Sequence, residues 1–217
     1  MKRLLLLALL ACQGCVEIRE RDQDLFQPRF LEDELPAGAR VHIRIPAGEV
    51  EITNSSDSVL SASLTIRCDD LSGSCAGNLS DVDFVYEDIP GGGGVRLSLS
   101  EDRARRYRQS SVEVKIAVPE GRPLTIDLTA GDLDIAVSNC LTADVEAGDV
   151  DLLMPPSSVK SIHLDAGVGD ARLTAAGFDI APQRSMLVGA EVHWTEGGGS
   201  CDIKVDLQAG DIRAELR

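Results

Sequence analysis

An acidic residue follows a glycine at regular intervals in the second half of the chain. The phrases TAGDLDI, EAGDVDL, GVGDARL and QAGDIRAEL contain it at equivalent turn positions, and the fifth phrase, LVGAEVHW, has Ala190 there instead. The acidic residues are Asp132, Asp149, Asp170 and Asp211. Carboxylates stacked in neighbouring units would lie about 5 Å apart and would repel one another. Bound Ca²⁺ could offset that repulsion, and grouped aspartates can also act as acid and base.

Two features of these phrases favour a structural role for the aspartates. Asp in a turn commonly accepts a hydrogen bond from the backbone of its own turn, and we expect that here. The phrases also lack the glycine pattern of calcium-binding nonapeptide repeats. The sequence therefore predicts turn aspartates without a metal, with Ca²⁺ binding left open.

A second group with possible binding chemistry is the run RARRYR, which concentrates four arginines in an acidic chain. Its members are Arg103, Arg105, Arg106, Tyr107 and Arg108. Guanidinium forks and an aromatic ring are suited to phosphate, carboxylate or sugar acids, which makes the run a possible partner contact. The alternative is a solvated hairpin loop whose charge is balanced by Glu101 and Asp102.

The remaining residues that could support chemistry are isolated in the sequence. His42, His163 and His193 lie in separate strand-like phrases, and we expect ordinary strand or surface histidines. Trp194 follows Val192 in a register that favours a core or end-cap position. The sequence contains no nucleophile elbow, phosphate loop, HExxH motif or zinc-ligand spacing. It therefore predicts no enzyme, no cofactor and no metal centre.

The cysteines indicate an oxidising compartment. Cys68 and Cys75 bracket the loop composition DDLSGS, and Cys140 with Cys201 would form a long-range cross-link. An even number of cysteines beyond the leader is typical of disulfides in exported proteins. We therefore predict that these four residues form disulfides, with the connectivity left open.

The first residues, MKRLLLLALLACQGC, are typical of an export signal. Lys2 and Arg3 precede eight apolar residues, too few for a bilayer-spanning helix, which needs about 20. The stretch LLAC resembles a bacterial lipobox, which predicts a signal at residues 1–11 and a lipid on Cys12. Cys15 is the alternative lipidation site, with the signal ending at residue 14. Residues 12–34 are charge-dense and predict a tether.

The elements that must position these residues are short strands. From residue 112 onward apolar and polar residues alternate, and the turn glycines recur at spacings of 17, 21, 20 and 21. These glycines are Gly131, Gly148, Gly169, Gly189 and Gly210. Each unit is a strand, a glycine turn, a second strand and a loop, with too little apolar surface to fold alone.

Stacking of such units would bury their apolar faces in one core. The fold class expected is all-β: a single-domain β-solenoid of stacked short strands over residues 35–217, with a period of about 20 residues. The domain is less regular at 55–110. An antiparallel β-sandwich is the alternative, because closely spaced strands with turn signals describe that fold too.

Several of these phrases resemble the "putative adhesin" β-solenoid family known by the label DUF4097. VHIRIPAGEVEI is similar to the family's opening phrase, IAVPEG (residues 116–121) is similar to its following segment, and the repeated A-G-D phrases complete the likeness. The resemblance covers about residues 35–217 and is weakest between 55 and 110. It implies a repetitive β fold at bacterial envelopes, an adhesin role and no established catalytic residues.

The net charge of −15 narrows the partners. An acidic surface disfavours nucleic acid and direct adsorption to anionic lipid, and it favours cations or basic partners. The sequence predicts a non-enzymatic envelope lipoprotein, at the outer membrane or periplasmic face, with a structural or adhesive role toward cell-wall or surface partners. Self-association through solenoid ends is a further expectation. The alternatives are an envelope-stress or regulatory sensor domain and, less favoured, a polysaccharide-degrading β-helix enzyme.

Overall fold

The computed structural model describes residues 24–25, 28–68, 82–89, 94–100, 110–185 and 188–217. Within these ranges the chain forms β-strands joined by turns. In chain order the strands are β1 (Asp24–Leu25), β2 (Arg29–Glu34), β3 (Arg40–Ile45), β4 (Glu49–Ser55), β5 (Val59–Cys68), β6 (Phe84–Asp88), β7 (Gly94–Leu99), β8 (Ser110–Pro119), β9 (Leu124–Ala130), β10 (Leu133–Ala136), β11 (Leu141–Ala147), β12 (Val150–Met154), β13 (Val159–Val168), β14 (Ala171–Ala175), β15 (Phe178–Ile180), β16 (Gln183–Ser185), β17 (Gly189–Trp194), β18 (Cys201–Ala209) and β19 (Ile212–Leu216). None of the described residues belongs to a helix long and apolar enough to cross a membrane.

The strands follow the alternation of the sequence. In β9, Leu124, Ile126 and Leu128 are each at most 2% exposed, while Thr125 and Asp127 point outward. Successive side chains of a strand point to opposite faces, so every second residue enters the core. The buried residues, almost all Val, Leu, Ile and Ala, form one continuous cluster.

The described strands form two mixed sheets, neither of them closed. The first sheet has ten strands in the order β1-β5-β8-β4-β10-β12-β19-β14-β15, with β2 also paired to β5. The second has nine, in the order β16-β17-β13-β18-β11-β9-β3-β7-β6. Central pairs such as β9–β11 and β10–β12 are parallel, whereas outer pairs such as β13–β17 and β14–β15 are antiparallel.

The spatial order of the units differs from their order in the chain. Each unit gives one strand to each sheet, as β9 and β10 do. The unit β18–β19 lies between β11–β12 and β13–β14, and β3–β4 lies between β7–β8 and β9–β10. A simple solenoid would stack each unit on the one before it. The all-β prediction is confirmed, but the solenoid is not established, and a sandwich-like pair of sheets describes the arrangement equally well.

Four of the five predicted turn glycines lie in one column. Gly131, Gly148, Gly210 and Gly169 follow one another in space, beginning from Gly48, and a Cβ on any of these four would overlap the carbonyl oxygen of the preceding glycine. Their amides donate to the adjacent unit, as in Gly148 N–H to the Ala209 carbonyl at 3.1 Å. We call these five residues the glycine column.

Gly189 departs from the predicted pattern. It is the first residue of β17, which pairs antiparallel with β13 and β16, and it does not join a strand of one sheet to a strand of the other. The phrase LVGAEVHW resembles the other units in composition, but it belongs to a hairpin. Ala190, which replaces the aspartate of the other phrases, lies in this antiparallel strand and not in a turn between the two sheets.

The folded region begins before residue 35. Residues 29–34, assigned from sequence to the tether, form β2, which pairs antiparallel with β5. This strand carries three acidic residues and exposes Phe30, so main-chain hydrogen bonds at the sheet edge hold it more than apolar alternation does. The high density of charged residues is therefore the reason that the sequence pattern did not predict a strand here.

A disulfide joins Cys140 to Cys201, two residues separated by 61 positions. Cys140 directly precedes β11 and Cys201 begins β18, and these strands are parallel neighbours in the second sheet. The bond therefore fixes the late unit β18–β19 beside an earlier one. Of the other predicted lipid or disulfide cysteines, Cys12, Cys15 and Cys75 lie outside the described residues, as does the side chain of Cys68.

A buried asparagine next to the disulfide secures the end of the units that lies opposite the glycine column. The Asn139 side chain is fully buried, and its amide donates to the carbonyls of Pro119 (2.9 Å) and Arg122 (2.8 Å). Its carbonyl accepts from Asn54, whose own carbonyl accepts from Ser138 N–H at 2.7 Å. A buried polar group is tolerated when its hydrogen bonds are made, and here they tie three segments together.

Candidate contact surface

Five carboxylates form a row across the outer face of the second sheet. Each lies opposite the next in the strand register. In spatial order they are Asp127 on β9, Asp144 on β11, Asp206 on β18, Asp165 on β13 and Glu191 on β17. Neighbouring strands lie about 4.8 Å apart, so the row spans about 20 Å. We call these five residues the acid row.

The acid row is a site of concentrated negative charge. Partial desolvation raises the pKa of Asp144, and the carboxylates of Asp206 and Asp127 on either side raise it further. Asp144 thus lies where adding another negative charge is costly and where a cation is favoured. A shallow groove of about 300 Å³ runs along this part of the row, with Glu146 and Gln208 at its side.

Basic and hydroxyl side chains accompany the acid row on the same face. A neighbouring row, two residues away from the acid row along each strand, contains His42, Thr125, Thr142, Lys204, His163 and His193. His42 Nε2 lies 2.8 Å from Asp127 Oδ2, and Lys204 pairs with Asp206. With His193 Nε2 at 2.6 Å from Glu191, basic groups lie beside three of the five carboxylates, and Arg44 lies opposite Asp127 in the register.

The outer face of the first sheet has a different charge pattern. A groove of about 450 Å³ is lined by both acidic residues and arginines, above Ala136 and Leu153. The acidic residues are Glu51, Asp134, Asp151 and Glu215, and the arginines are Arg172, Arg213 and Arg217. Partial desolvation, then the Asp151 carboxylate, raises the pKa of Asp134. Because three arginines line this groove, this face has a smaller excess of negative charge than the second sheet, where Arg44 and Lys204 accompany the five carboxylates of the acid row.

The turn aspartates of the sequence repeat have a structural role. Asp149 N–H donates to Asp132 Oδ1 (3.2 Å), Asp211 N–H to Asp149 Oδ1 (3.0 Å), and Asp170 N–H to Asp211 Oδ1 (2.9 Å). Each of these carboxylates thus bonds to the next unit in the stack, whereas the sequence led us to expect a bond within its own turn. The inter-unit bonds explain why Asp recurs at this position.

Asp170 ends this series beside two arginines. Its Oδ2 accepts from Arg172 at 3.0 and 3.1 Å, and Arg184 lies 4.0 Å from its Oδ1. The Arg172 hydrogen bond is the main reason that the pKa of Asp170 lies below its usual value. The exposed side of the last turn is therefore neutralised by arginine.

The structure brings together two of the three histidines that the sequence leaves apart. His163 and His193 lie directly opposite each other on β13 and β17, separated by 30 residues in the chain. Only the antiparallel register of those strands reveals the pair. Trp194, opposite Ile162, is partly buried against the core. The arginine run at 103–108 lies outside the described residues.

Comparison with solved structures shows distant likenesses to two proteins. No family model matches the chain, and no curated protein matches it. A solved structure of a "putative cell adhesion protein" from Clostridium sporogenes is 14% identical over 88% of this chain and 100% of its own, with a TM-score of 0.49. A "putative adhesin" from Bacteroides fragilis is 11% identical over 87% of this chain and 97% of its own, with a TM-score of 0.25. No function is carried over from either, and the resemblance to the DUF4097 family stays a prediction.

Proposed function

We propose that this chain is a non-enzymatic, lipid-anchored protein of the bacterial envelope with a structural or adhesive role, and that the acid row is its contact surface. The observation that carries the proposal is the in-register placement of five carboxylates on five adjacent strands. The partner class is a cell-wall or surface polymer, or a protein, that presents amines or guanidinium groups.

The rigidity of the sheet makes such a row useful for contact. The middle strands β11, β18 and β13 are paired on both sides, so the spacing of the row is set by backbone hydrogen bonds. Single exposed charge pairs contribute little, about 0–1 kcal/mol each. Several pairs held at fixed intervals add together, because the second and later contacts form within one complex.

The charge of the whole chain supports the same partner class. A net charge of −15 repels nucleic acid and attracts basic surfaces at distances up to about 10 Å at 0.1 M salt. In this proposal a lipid on Cys12, or on Cys15, holds the domain at the membrane while the sheets face the partner.

Self-association at the sheet ends is a second candidate contact. Strand β15 exposes Phe178, which is 72% accessible, and among the described strands it is paired on one side only, with β14. Because β15 has only three residues, this edge favours a weak association.

Binding to envelope material without turnover tests the proposed function. The lipid-free mature chain is mixed with washed envelope fractions, and the bound fraction is measured by sedimentation as salt is raised. We expect saturable binding at low salt that weakens by about tenfold or more toward 0.5 M salt, because exposed charges are screened. Absence of binding at low salt would contradict the proposal, and release of soluble sugar from the envelope material would favour the enzyme alternative.

A further inference from the structure

Two imidazoles and one carboxylate converge at one end of the acid row. His163 Nδ1 lies 3.1 Å from His193 Nε2. The centroids of the two imidazole rings are 4.1 Å apart. Glu191 Oε1 lies 2.6 Å from His193 Nε2 and 3.8 Å from His163 Nδ1. The three side chains come from two strands, β13 and β17, whose register places the histidines face to face.

The spacing of these three donor atoms matches that of a metal's ligands. Nitrogen and oxygen ligands lie about 2.0–2.1 Å from Zn²⁺, so tetrahedral ligands are separated by about 3.3 Å. The three observed distances of 3.1, 2.6 and 3.8 Å bracket that value. A point about 2 Å from all three atoms exists close to their plane. Because His163 Nδ1 is also 3.0 Å from His193 Nδ1, the two rings would rotate about their side-chain torsions so that one nitrogen of each faces an ion at that point.

The site is open to an ion from solvent. The side chains of His163 and Glu191 are 27% and 32% exposed, and that of His193 is 51% exposed. His193 Nε2 and Glu191 Oε1 are within hydrogen-bonding distance of each other, so an ion bound there would replace the proton that they share. The open side leaves at least one coordination position for water or for a donor from a partner.

The surrounding charges favour a cation. Ligand atoms of Asp165 and Asp206 lie within 4.8 Å of one another and of His163. Lys204 lies opposite His163 in the register, but its ammonium group pairs with Asp206. The acid row thus raises the local concentration of cations beside the histidines.

We propose that His163, His193 and Glu191 form a binding site for a divalent transition metal, with Zn²⁺, Ni²⁺ and Cu²⁺ as the ions of choice. Imidazole nitrogen favours these ions over Ca²⁺ and Mg²⁺, which prefer all-oxygen ligands. A bound ion would join β17 to β13 and so fix the antiparallel hairpin to the parallel part of the second sheet. The proposal does not depend on the contact role of the acid row.

Metal titration of the full chain tests the site. Zn²⁺ and Ni²⁺ are titrated by calorimetry into the wild type and into His163→Ala, His193→Ala and Glu191→Gln variants. We expect one saturable site in the wild type, at least about tenfold weaker binding in each histidine variant, and a smaller loss in Glu191→Gln. Zn²⁺ should also raise the Tm of the wild type and leave that of His193→Ala unchanged.

His42→Ala is the matched control. His42 lies on the same face beside a carboxylate, 2.8 Å from Asp127, but its register neighbours are Arg96 and Thr125. Its replacement should leave Zn²⁺ affinity within about twofold. Cu²⁺ bound to the wild type should show hyperfine coupling to two nitrogens in its electron paramagnetic resonance spectrum, and coupling to no more than one nitrogen in His193→Ala. Equal affinity in wild type and His193→Ala, no saturable site in the wild type, or an equal loss in His42→Ala would overturn the proposal.

Discussion

Replacing Gly148 with alanine is expected to destabilise the protein by about 3–5 kcal/mol, or to prevent its folding. Gly148 has a φ of +137°, a conformation that residues with a Cβ rarely adopt. Its added Cβ would also overlap the carbonyl oxygen of Gly131 in the neighbouring unit. That oxygen belongs to the packed backbone of the glycine column and cannot move aside as a flexible side chain can.

Gly121→Ala is the comparison variant without a steric overlap. Gly121 also has a positive φ, +71°, but a Cβ there would have no atom within 4 Å. We therefore expect a cost of about 1–2 kcal/mol for Gly121→Ala, from backbone conformation alone. Urea denaturation of both variants measures the difference. If Gly148→Ala cost no more than Gly121→Ala, the close stacking of the units would be wrong.

Removing the disulfide is expected to cost about 4 kcal/mol. Cys140 and Cys201 close a loop with a separation of 61 residues, and the entropy that such a cross-link removes from the unfolded chain grows with loop length. The bond also holds β18 beside β11, a pairing between segments far apart in sequence. The double variant Cys140→Ala, Cys201→Ala should therefore unfold at lower urea concentration than the oxidised wild type.

A second cysteine pair provides the comparison for this prediction. Cys68→Ala with Cys75→Ala would open a far shorter predicted loop, so its expected cost is smaller, about 2 kcal/mol. Free thiols are counted first to establish which bonds each protein contains. A Cys140→Ala, Cys201→Ala variant as stable as the oxidised wild type would show that β18–β19 is held in place without the cross-link.

Local patterns in the sequence predict the strands well. The alternation of Leu124, Ile126 and Leu128 places all three in the core, and the recurring glycine turns predict a column that four of the five form. The alternation of a strand and the residue types of a turn depend on residues close in sequence, so strands and turns can be predicted from the sequence alone.

The order of the units and the pairing of distant residues are harder to predict. Because the units are so alike, any one can stack on another, and nothing in the repeat specifies that β18–β19 inserts before β13–β14. For the same reason the hydrogen bond between Asp149 and Asp211, which joins two units, could not be predicted from the sequence. The meeting of His163 and His193 depends on an antiparallel hairpin whose phrase looks like a further repeat.

The central claim is that the acid row makes the contact, and two charge-matched variants test it most directly. One carries Asp127→Asn, Asp144→Asn and Asp206→Asn on the second sheet. The other carries Glu51→Gln, Asp134→Asn and Asp151→Asn on the first sheet, and so loses the same number of charges.

Low-salt binding of both variants to washed envelope fractions is the deciding measurement. We predict at least about tenfold weaker binding for the second-sheet variant, because three carboxylates that pair with the partner are lost. For the first-sheet variant we predict a change within about twofold. Equal losses in the two variants would mean that net charge alone governs adhesion. Full binding by the second-sheet variant would remove the acid row from the contact.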